Sequence, residues 1–397
     1  MWPVPVNKSG DVVTALDRYT SATNTVAAKK VNSMLPWVFV PMIGQYENIG
    51  DIVLRRPLMN WLRSGGVLHV FIGRAPAGYA EGLGVRSEDV VYRSFAKWYA
   101  AAMQAALKGR ACYAFKPGEI QLSLSGLKEH VSALPLISAV RLRGGGVIRV
   151  GSGARNFAWL PRALIKPSIA LSELVMWRDA RTAEYLGVGG VMPDLGFWEG
   201  DSVNAMLPVS SRNALVVSMR GDRESRAAVW VDAVREYARS RRLELWVVTQ
   251  VHRDSSRSRA LAAALGAELL DWDGTNHHAQ EARLRDLYRR THMVISDRLH
   301  VLIAAFTHGA LPCGLLPYAS DKIDRHFAAA GIADVTIQLS DDSKAELAER
   351  FSALEPRRGQ LLAELQVARQ RLDEVRTAVV RCVGVPHMRP LGKRGAW

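Results

Sequence analysis

The sequence predicts an α/β protein with two domains, each built on a parallel sheet. Short strand patterns alternate with amphipathic helical patterns along most of the chain, which is typical of parallel strands joined by helical crossovers. The 397 residues suit two domains better than one. Gly, Asp, Ser, Asn and Pro accumulate at 199–212 and predict a linker. We therefore expect an N-terminal domain at 1–205, a C-terminal domain at 206–340, and helices with a tail at 341–397.

The first domain begins with a polar stretch to about residue 35, in which one helix is predicted at 12–30. Apolar runs then predict buried strands, and amphipathic spacing predicts the helices between them. The predicted strands are 37–41, 67–73, 147–150 and 169–177. Three helices are predicted: one that ends at 61, one at 87–108, and one that begins at 180 with Asp179 as its N-cap. Glycine clusters at 144–146 and 151–153 flank the third strand, where they either let a ligand approach the backbone or serve plain turns.

The second domain repeats this alternation. The predicted strands are 215–219, 243–249, 267–270, 292–295 and 312–316, and the predicted helices are 224–240, 256–265, 280–290, one from 299 onward, and 321–330. Residues 342–381 are strongly helical, charged and rich in Ala, Leu and Arg. We expect this terminal helical segment to pack across the junction of the two domains, with its charges on a solvated face.

The charge of the chain favours an anionic partner. A formal net charge of +14 and a pI near 10.0 suit a phosphorylated metabolite, a nucleic acid or an anionic membrane surface. Arginine carries most of the excess and is spread along the chain, without a basic block or a nucleic-acid reader motif such as a zinc finger. We therefore expect no nucleic-acid partner.

Several sequence features bear on compartment and cofactors. Cys112, Cys313 and Cys382 lie far apart without a CxxC pair, so neither a disulfide framework nor a zinc site is expected. His277 and His278 lack a companion carboxylate at helical spacing, and we expect them in an exposed loop without metal. The first residues lack the basic-then-apolar pattern of a signal peptide, and no uninterrupted apolar run reaches bilayer length, so we expect neither a signal peptide nor a membrane span. The expected location is the cytoplasm, with peripheral contact at the inner face of the membrane as an option.

Residues 296–300, Ser-Asp-Arg-Leu-His, form the centre of the candidate site. A β-branched strand pattern precedes them, and apolar residues at helical spacing follow. Arg298 and His300 therefore lie at a strand-to-helix turn, where free backbone N–H groups, the helix dipole, a guanidinium and an imidazole together favour an anion. The alternative is structural: Arg298 caps a neighbouring carboxylate, and His300 is an ordinary packed histidine.

Six short motifs occur in a fixed order between about residues 37 and 330. They are NIGD at 48–51, WRD at 177–179 followed by Thr182, MPDLGF at 192–197, VSMR at 217–220, SxRLH at 296–300 and DK at 321–322. This ordered set resembles the polysaccharide pyruvyl transferase family. The resemblance implies transfer of pyruvate from phosphoenolpyruvate onto two sugar hydroxyls as a ketal. It also implies two Rossmann-like domains whose parallel sheets face a central cleft, as in the glycosyltransferase-B fold.

The resemblance also assigns expected roles to residues. The family's donor-site motif maps onto Arg298 and His300, and its distal lysine onto Lys322. Phosphoenolpyruvate carries a phosphate and a carboxylate, which guanidinium groups and helix N-termini bind well. We expect Arg298 and Lys322 to take one anionic group each, Arg178 and Arg220 to complete the clamp, and His300 to act as general acid/base. Each cation lies near a predicted strand end or helix start, where open parallel sheets bind ligands. No cofactor or metal is expected beside this donor.

The implied acceptor is a sugar of a polysaccharide, a glycolipid or a lipid-linked precursor. Hydroxyl-binding candidates are Asn48 and Asp51 in the first loop, Arg155 and Asn156 after the second glycine cluster, and, as a weaker candidate, Gln250 with Asp254 after a later strand. For Asn48 and Asp51 the alternative is that they hold their own turn and cap the following helix.

Two other functions fit parts of the sequence. A nucleotide-sugar-dependent glycosyltransferase would also place cations on a diphosphate, but it requires an acidic ribose ligand where 312–318 contains no Glu. A basic anion-binding scaffold without enzymatic activity would show steep salt dependence and no phosphate release. The residues Arg149-Val150-Gly151, which follow the first glycine cluster, depart from the usual pattern of the pyruvyl transferase family. The acceptor sugar, the hydroxyl pair, the ketal stereochemistry and the oligomeric state stay open.

Overall fold

The computed structural model describes residues 35–222, 229–340 and 342–384, in which two parallel sheets form the framework. The first sheet has eight strands in the order β3-β2-β1-β4-β6-β7-β8, and β5 pairs with the second half of β6. These strands are β1 Trp37–Pro41, β2 Val67–Phe71, β3 Val90–Tyr92, β4 Ala111–Ala114, β5 Gly118–Gln121, β6 Val147–Arg155, β7 Leu174–Trp177 and β8 Gly190–Val191.

Helices connect these strands on both faces of the sheet. They are α1 Gly50–Arg63, α2 Tyr79–Gly82, α3 Phe95–Leu107, α4 Lys128–Ser132, α5 Leu134–Leu142, α6 Trp159–Ala170 and α7 Ala180–Leu186. Asp179 is the N-cap of α7, as predicted, because its side chain accepts a hydrogen bond of 2.9 Å from the backbone N–H of Thr182.

The second sheet has six strands in the order β11-β10-β9-β12-β13-β14, which is the doubly wound order of a dinucleotide-binding domain. Its strands are β9 Ala214–Ser218, β10 Glu244–Val248, β11 Glu268–Leu270, β12 Thr291–Ser296, β13 Leu311–Leu316 and β14 Thr336–Gln338. Its helices are α8 Val229–Arg241, α9 Ser255–Leu265, α10 His277–Arg289, α11 Leu299–Phe306 and α12 Lys322–Ala329. The central strands β9 and β12 are buried at every position, as expected for a sheet covered on both faces.

Two further helices follow the second sheet, α13 Lys344–Ser352 and α14 Arg358–Gly384. One stripe of α14 is buried, formed by Leu361, Leu365, Ala368, Leu372, Val375, Val379 and Val383. At its start, Arg358 donates to the carbonyls of His292 and Gly309 in the C-terminal domain. At its end, the carbonyl of Val383 accepts from Sγ of Cys112 in the N-terminal domain. The expected packing of the terminal helices across the junction is therefore confirmed, and so are two Rossmann-like domains.

Several expectations need correction. The single helix expected at 87–108 is a short strand, β3, followed by α3, because Ser94 caps a helix that begins at Phe95. The strand expected at 169–177 begins only at Leu174, since α6 continues to Ala170. The second glycine cluster is part of β6 rather than a turn, and Gly151 adopts a positive φ of 72° at a bulge there.

The remaining expectations are contradicted, lie outside the described residues, or stay predictions. His277 is fully buried at the start of α10 rather than in an exposed loop. The helix expected at 12–30, the start of that expected at 224–240, and the tail beyond 384 lie outside the described residues. The domain boundaries at 205 and 340 stay predictions. Within 35–222, 229–340 and 342–384, each helix is too short or too polar to pass through a bilayer.

Arg369 of α14 provides a test of how the junction is held. Its guanidinium donates to the backbone carbonyls of Phe197, Glu199 and Asp201 between the two sheets. We expect Arg369→Ala to lower the free energy of unfolding by about 2–4 kcal/mol, because it leaves partly buried carbonyls without donors. Urea-induced unfolding followed by circular dichroism measures the change. The control Gln366→Ala lies on the exposed face of the same helix, and an equal loss in both variants would contradict this role.

Candidate active site

The carboxyl edges of the two sheets face each other. The loop after β1 meets the loop after β10 in an antiparallel bridge between Asn48 and Val251. The N–H of Ile49 donates to the carbonyl of Gln250 at 3.0 Å, and the N–H of His252 donates to that of Glu47 at 2.8 Å. Since both loops follow the carboxyl ends of parallel strands, the cleft opens where doubly wound sheets bind ligands.

The SDRLH turn lies at this edge, between β12 and α11. The hydroxyl of Ser296 accepts from the N–H of Arg298 at 3.0 Å. Asp297 accepts from the backbone N–H of Arg220 at 2.9 Å and from the hydroxyl of Tyr318 at 3.0 Å, and burial raises the pKa of this carboxyl. The turn is thereby tied to the loop after β9. The N-cap of α11, Arg298, makes no side-chain capping hydrogen bond, and the start of a helix favours an anion.

A buried carboxylate connects His300 with Arg178. Nη1 of Arg178 donates to Oδ2 of Asp194 at 3.0 Å, and Nε2 of His300 lies 3.4 Å from the same oxygen. The other oxygen of Asp194 accepts from the N–H of Gly196 at 2.9 Å. Burial alone would raise the pKa of Asp194, but His300 and Arg178 hold it well below its usual range. The carboxylate therefore stays charged and fixes the imidazole relative to the guanidinium.

Two glycines allow these side chains to come so close. A Cβ at Gly50 would lie 2.8 Å from Cβ of His300 and 3.0 Å from Oδ1 of Asn48. A Cβ at Gly153 would lie 3.1 Å from Nε of Arg178 and 2.6 Å from Oδ2 of Asp179. The NIGD segment thus packs against the histidine, and the second glycine cluster makes room for the arginine.

The predicted cations each have a carboxylate partner at the cleft. The pairs are Arg178 with Asp194 at 3.0 Å, Arg220 with Asp222 at 2.7 Å, Arg298 with Asp254 at 2.5 Å and Lys322 with Glu119 at 3.1 Å. The last pair joins the two domains, since Glu119 belongs to β5 and Lys322 begins α12. An incoming anion must therefore compete with carboxylates that already orient the cations.

Electrostatic effects show that these cations act on one another. Burial lowers the pKa of Lys322, Glu119 partly opposes this, and Arg178 and Arg220 lower the pKa further. Burial alone would raise the pKa of Glu119, but Lys322, Arg178 and Arg155 hold it at about 2. The structure therefore brings Arg178, Arg220 and Lys322 to one region, beside the turn that carries Arg298 and His300.

The acceptor candidates are placed less uniformly. Oδ1 of Asn48 accepts from the N–H of Gly50 at 2.9 Å, and Asp51 pairs with Arg55 at 2.9 Å, so both serve the turn and the first turn of α1. Gln250 is 3% exposed, and its Oε1 accepts from the hydroxyl of Tyr288 at 3.2 Å. These contacts fit the structural alternative for Asn48 and Asp51.

Arg155 and Asn156 lie instead at the rim of the cleft. Arg155 is the last residue of β6, its side chain is 57% exposed, and its Nη1 lies 3.3 Å from Oε1 of Glu119. Asn156 is exposed with a positive φ of 58°. Arg155 contacts Glu119, which in turn pairs with Lys322, so Arg155 lies next to the Lys322 region. Asn156 is the next residue along the chain and precedes α6. Their acceptor role stays a prediction.

Sequence reasoning did not assign four residues that the site contains. Asp194 was inside the MPDLGF motif but had no role, and Asp254 was named only as a weak companion of Gln250. Glu119 lies in a segment without a clear pattern. His326 is 1% exposed, its Nδ1 donates to the carbonyl of Lys322 at 2.8 Å, and burial with nearby Arg178 keeps its pKa well below the usual range. Among the residues the structure describes, no group of three or more His, Cys, Asp or Glu could hold a metal.

Comparison with known proteins agrees with this geometry. The family model for polysaccharide pyruvyl transferase matches residues 48–310, more than half of the chain. The chain belongs to the polysaccharide pyruvyl transferase family. Its matched region contains Arg178, Arg220, Arg298 and His300, whereas Lys322 follows it. No curated protein matches this pyruvyl transferase family member.

Solved structures resemble the fold at low sequence identity. A candidate UDP-N-acetylglucosamine 2-epimerase from Listeria monocytogenes shares 12% identity with a TM-score of 0.53, over 87% of this chain and 96% of that one. UDP-GlcNAc 2-epimerase from Neisseria meningitidis shares 10%, with a TM-score of 0.52 over 87% and 99%. S. aureus MnaA in a co-structure with UDP shares 10%, with a TM-score of 0.50 over 87% and 97%. These similarities show the glycosyltransferase-B-like architecture and nothing about the substrate.

The contacts of Asp194 predict how acid affects the fold. Its pKa is lower in the folded protein than in the unfolded chain, where it is about 3.9, so its stabilising effect is present above that pH and is lost as pH falls. We expect Asp194→Asn to be less stable than the wild type at pH 7 and to lose less stability between pH 5 and pH 3. Urea unfolding across this range measures both slopes. Asp286→Asn, 74% exposed at its side chain, should keep the wild-type slope, and parallel curves for Asp194→Asn would contradict the assignment.

Proposed function

We propose that this protein transfers pyruvate from phosphoenolpyruvate onto two hydroxyls of a sugar as a ketal and releases phosphate. The observation that carries the proposal is the gathering of Arg178, Arg220, Arg298 and Lys322 around His300 in a member of the polysaccharide pyruvyl transferase family. A small molecule with two anionic groups suits cations that come from separate loops of two domains.

His300 is the proposed general acid. Its Nε2 faces Asp194, which orients the ring and leaves Nδ1 for the substrate. Proton transfer to the methylene carbon C3 makes C2 electrophilic, and an acceptor hydroxyl adds there. The bond between C2 and the phosphate oxygen then breaks with its electron pair leaving on phosphate, and the second hydroxyl closes the ketal. The two hydroxyl protons balance the proton given to C3 and the one taken by phosphate.

The cations are proposed to bind and polarise the donor. Arg298 and Lys322 each take one anionic group, and Arg178 and Arg220 complete the clamp. Developing charge on the leaving phosphate is then met by groups that are already oriented, including the backbone N–H groups at the start of α11. Glu119 and Asp254 hold Lys322 and Arg298 in place and move aside as the anion binds.

The acceptor is proposed to enter from the N-terminal domain, as a sugar of a polysaccharide, a glycolipid or a lipid-linked precursor. Arg155 and Asn156 at the cleft rim are its candidate ligands, because both are exposed and Arg155 contacts Glu119, the partner of Lys322. The proposed location is the cytoplasm, where phosphoenolpyruvate is available, and no metal or cofactor is proposed to take part.

His300→Gln tests the acid. We expect phosphate release from phosphoenolpyruvate to fall at least about 100-fold, since a positioned general acid contributes about 10²–10⁴-fold, while phosphoenolpyruvate still binds. The assay follows phosphate release across a panel of sugar acceptors without added metal. The control His278→Gln changes an exposed histidine on α10 and should keep wild-type turnover. Full turnover in His300→Gln removes this residue from the mechanism, and sugar transfer from a nucleotide-sugar by the wild type would replace the proposed reaction.

A further inference from the structure

Helix α6 has an exposed apolar face on the side that does not pack on the N-terminal domain. Trp159 is 77% exposed, Leu160 40% and Leu164 41%, and Ala163 and Pro167 are exposed beside them. At 100° per residue these five side chains cover one continuous face of the helix. The opposite face, formed by Pro161, Ile165, Ser168 and Ile169, is buried in the N-terminal domain.

A helix that is apolar on both faces is unusual at a protein surface. If α6 served only to pack on the N-terminal domain, its outer face would be expected to be polar, because only its inner face is buried there. Burying the outer face in a lipid interface explains its composition, because Trp and Leu are the residues that insert at the boundary of headgroups and acyl chains.

The charges around this face select the partner. From residue 155 to 172 the chain has three basic residues, Arg155, Arg162 and Lys166, and no acidic one. Arg155 and Arg181 of the neighbouring α7 pair with Glu119 and Asp321, so the cations that carry this argument are Arg162 and Lys166 on α6 itself. Cations that border an inserted apolar face attract anionic headgroups, as in interfacial helices. A neutral partner would gain nothing from them.

The location of α6 links the surface to the cleft. The helix begins four residues after Arg155, which contacts Glu119 at 3.3 Å, and Glu119 contacts Lys322 at 3.1 Å. Arg162 and Arg181 stack on Tyr185 and Phe157, which pack against each other with ring centroids 4.8 Å apart. The start of α6, the start of α7 and the cleft rim therefore form one side of the molecule.

We propose that the exposed face of α6 docks the protein on an anionic phospholipid membrane with the cleft mouth at the lipid interface. Docking itself does not depend on the pyruvyl transfer reaction. Resting on the proposed function, it further narrows the acceptor to a lipid-linked sugar, which such an orientation presents to Arg155 and Asn156.

Vesicle sedimentation tests the docking with the full chain. We expect the protein to bind vesicles of phosphatidylcholine with one quarter phosphatidylglycerol, and to bind pure phosphatidylcholine vesicles at least about tenfold more weakly. Raising the salt concentration should weaken binding to the vesicles that contain phosphatidylglycerol. The triple variant Trp159→Ser, Leu160→Ser, Leu164→Ser should lower binding at least about tenfold, because the inserted apolar area is lost.

Matched variants separate docking from general surface effects. Leu107 and Leu142 are 56% and 74% exposed at the ends of α3 and α5, which lead into the amino ends of β4 and β6. Leu107→Ser, Leu142→Ser should bind like the wild type because these residues lie at the opposite sheet edge. If the triple variant melts at a lower temperature, the variant Lys166→Glu, at the edge of the same exposed face, provides a second test of docking. We expect it to bind anionic vesicles more weakly and to leave binding to neutral vesicles unchanged.

Four results would overturn the proposal: no wild-type binding to anionic vesicles, equal binding to neutral ones, unchanged binding of both α6 variants, or an equal loss in the control variant. Sedimentation velocity without lipid detects the competing occupant, a second copy of this chain, as a dimer that the triple variant dissociates. Phosphate release is measured in parallel with a water-soluble sugar and with a lipid-linked sugar carried in the vesicles. Vesicle binding without any phosphate release supports docking and counts against the proposed reaction, so the two failures are distinguishable.

Discussion

The carboxylate of Asp194 contacts an arginine of the N-terminal domain and a histidine of the C-terminal domain, and the rest of the candidate site depends on these two contacts. A carboxylate that is 1% exposed is stable only when charged partners and hydrogen bonds replace water. Arg178, His300 and the N–H of Gly196 provide them. The position of the imidazole relative to the anion-binding guanidinium is therefore set by one buried ion-pair network that spans the two sheets.

This contact requires the domains to approach closely, and several features of the chain provide for that. Gly50 leaves room for His300, and the bridge between Asn48 and Val251 fixes the two loops on either side. On the opposite rim, Arg181 lies 3.3 Å from Asp321 and Lys322 lies 3.1 Å from Glu119. The exposed pair of Arg181 and Asp321 contributes little stability. The arrangement of both pairs instead lines the cleft with cations from both domains, while α14 supplies the apolar contact across the junction.

The sequence predicted the parts of the fold that depend on local patterns. The SDRLH turn follows from a β-branched run that changes to helical spacing, and Asp179 as N-cap follows from residue type and position. β3 escaped prediction because Val90 and Val91 are each 40% exposed in a three-residue edge strand that adjoins a helix cap. The tertiary structure decided the rest. Glu119 reaches the cleft because β5 pairs with the second half of β6, and no local pattern encodes that pairing.

The same distinction applies to the site. The cations could be selected from the sequence because strand ends and helix starts are local features, but the carboxylates that pair with Arg298 and Lys322 come from distant segments, at Asp254 and Glu119. Asn48 and Asp51 illustrate the limit: a polar loop at a sheet edge suggests ligand binding, yet their hydrogen bonds hold the turn that packs against His300. Their motif therefore contributes to the site through position rather than through a free side chain.

The central claim is that these cations form a site for a small molecule with two anionic groups. Isothermal titration of phosphoenolpyruvate, inorganic phosphate and a UDP-sugar, into the wild type and Lys322→Met, tests it most directly. The account predicts that phosphoenolpyruvate binds at least about tenfold more tightly than phosphate, because a second ionic contact is worth about 1.4 kcal/mol or more, and that Lys322→Met reduces this advantage. Equal binding of phosphate and phosphoenolpyruvate, or tighter binding of the UDP-sugar, would contradict it.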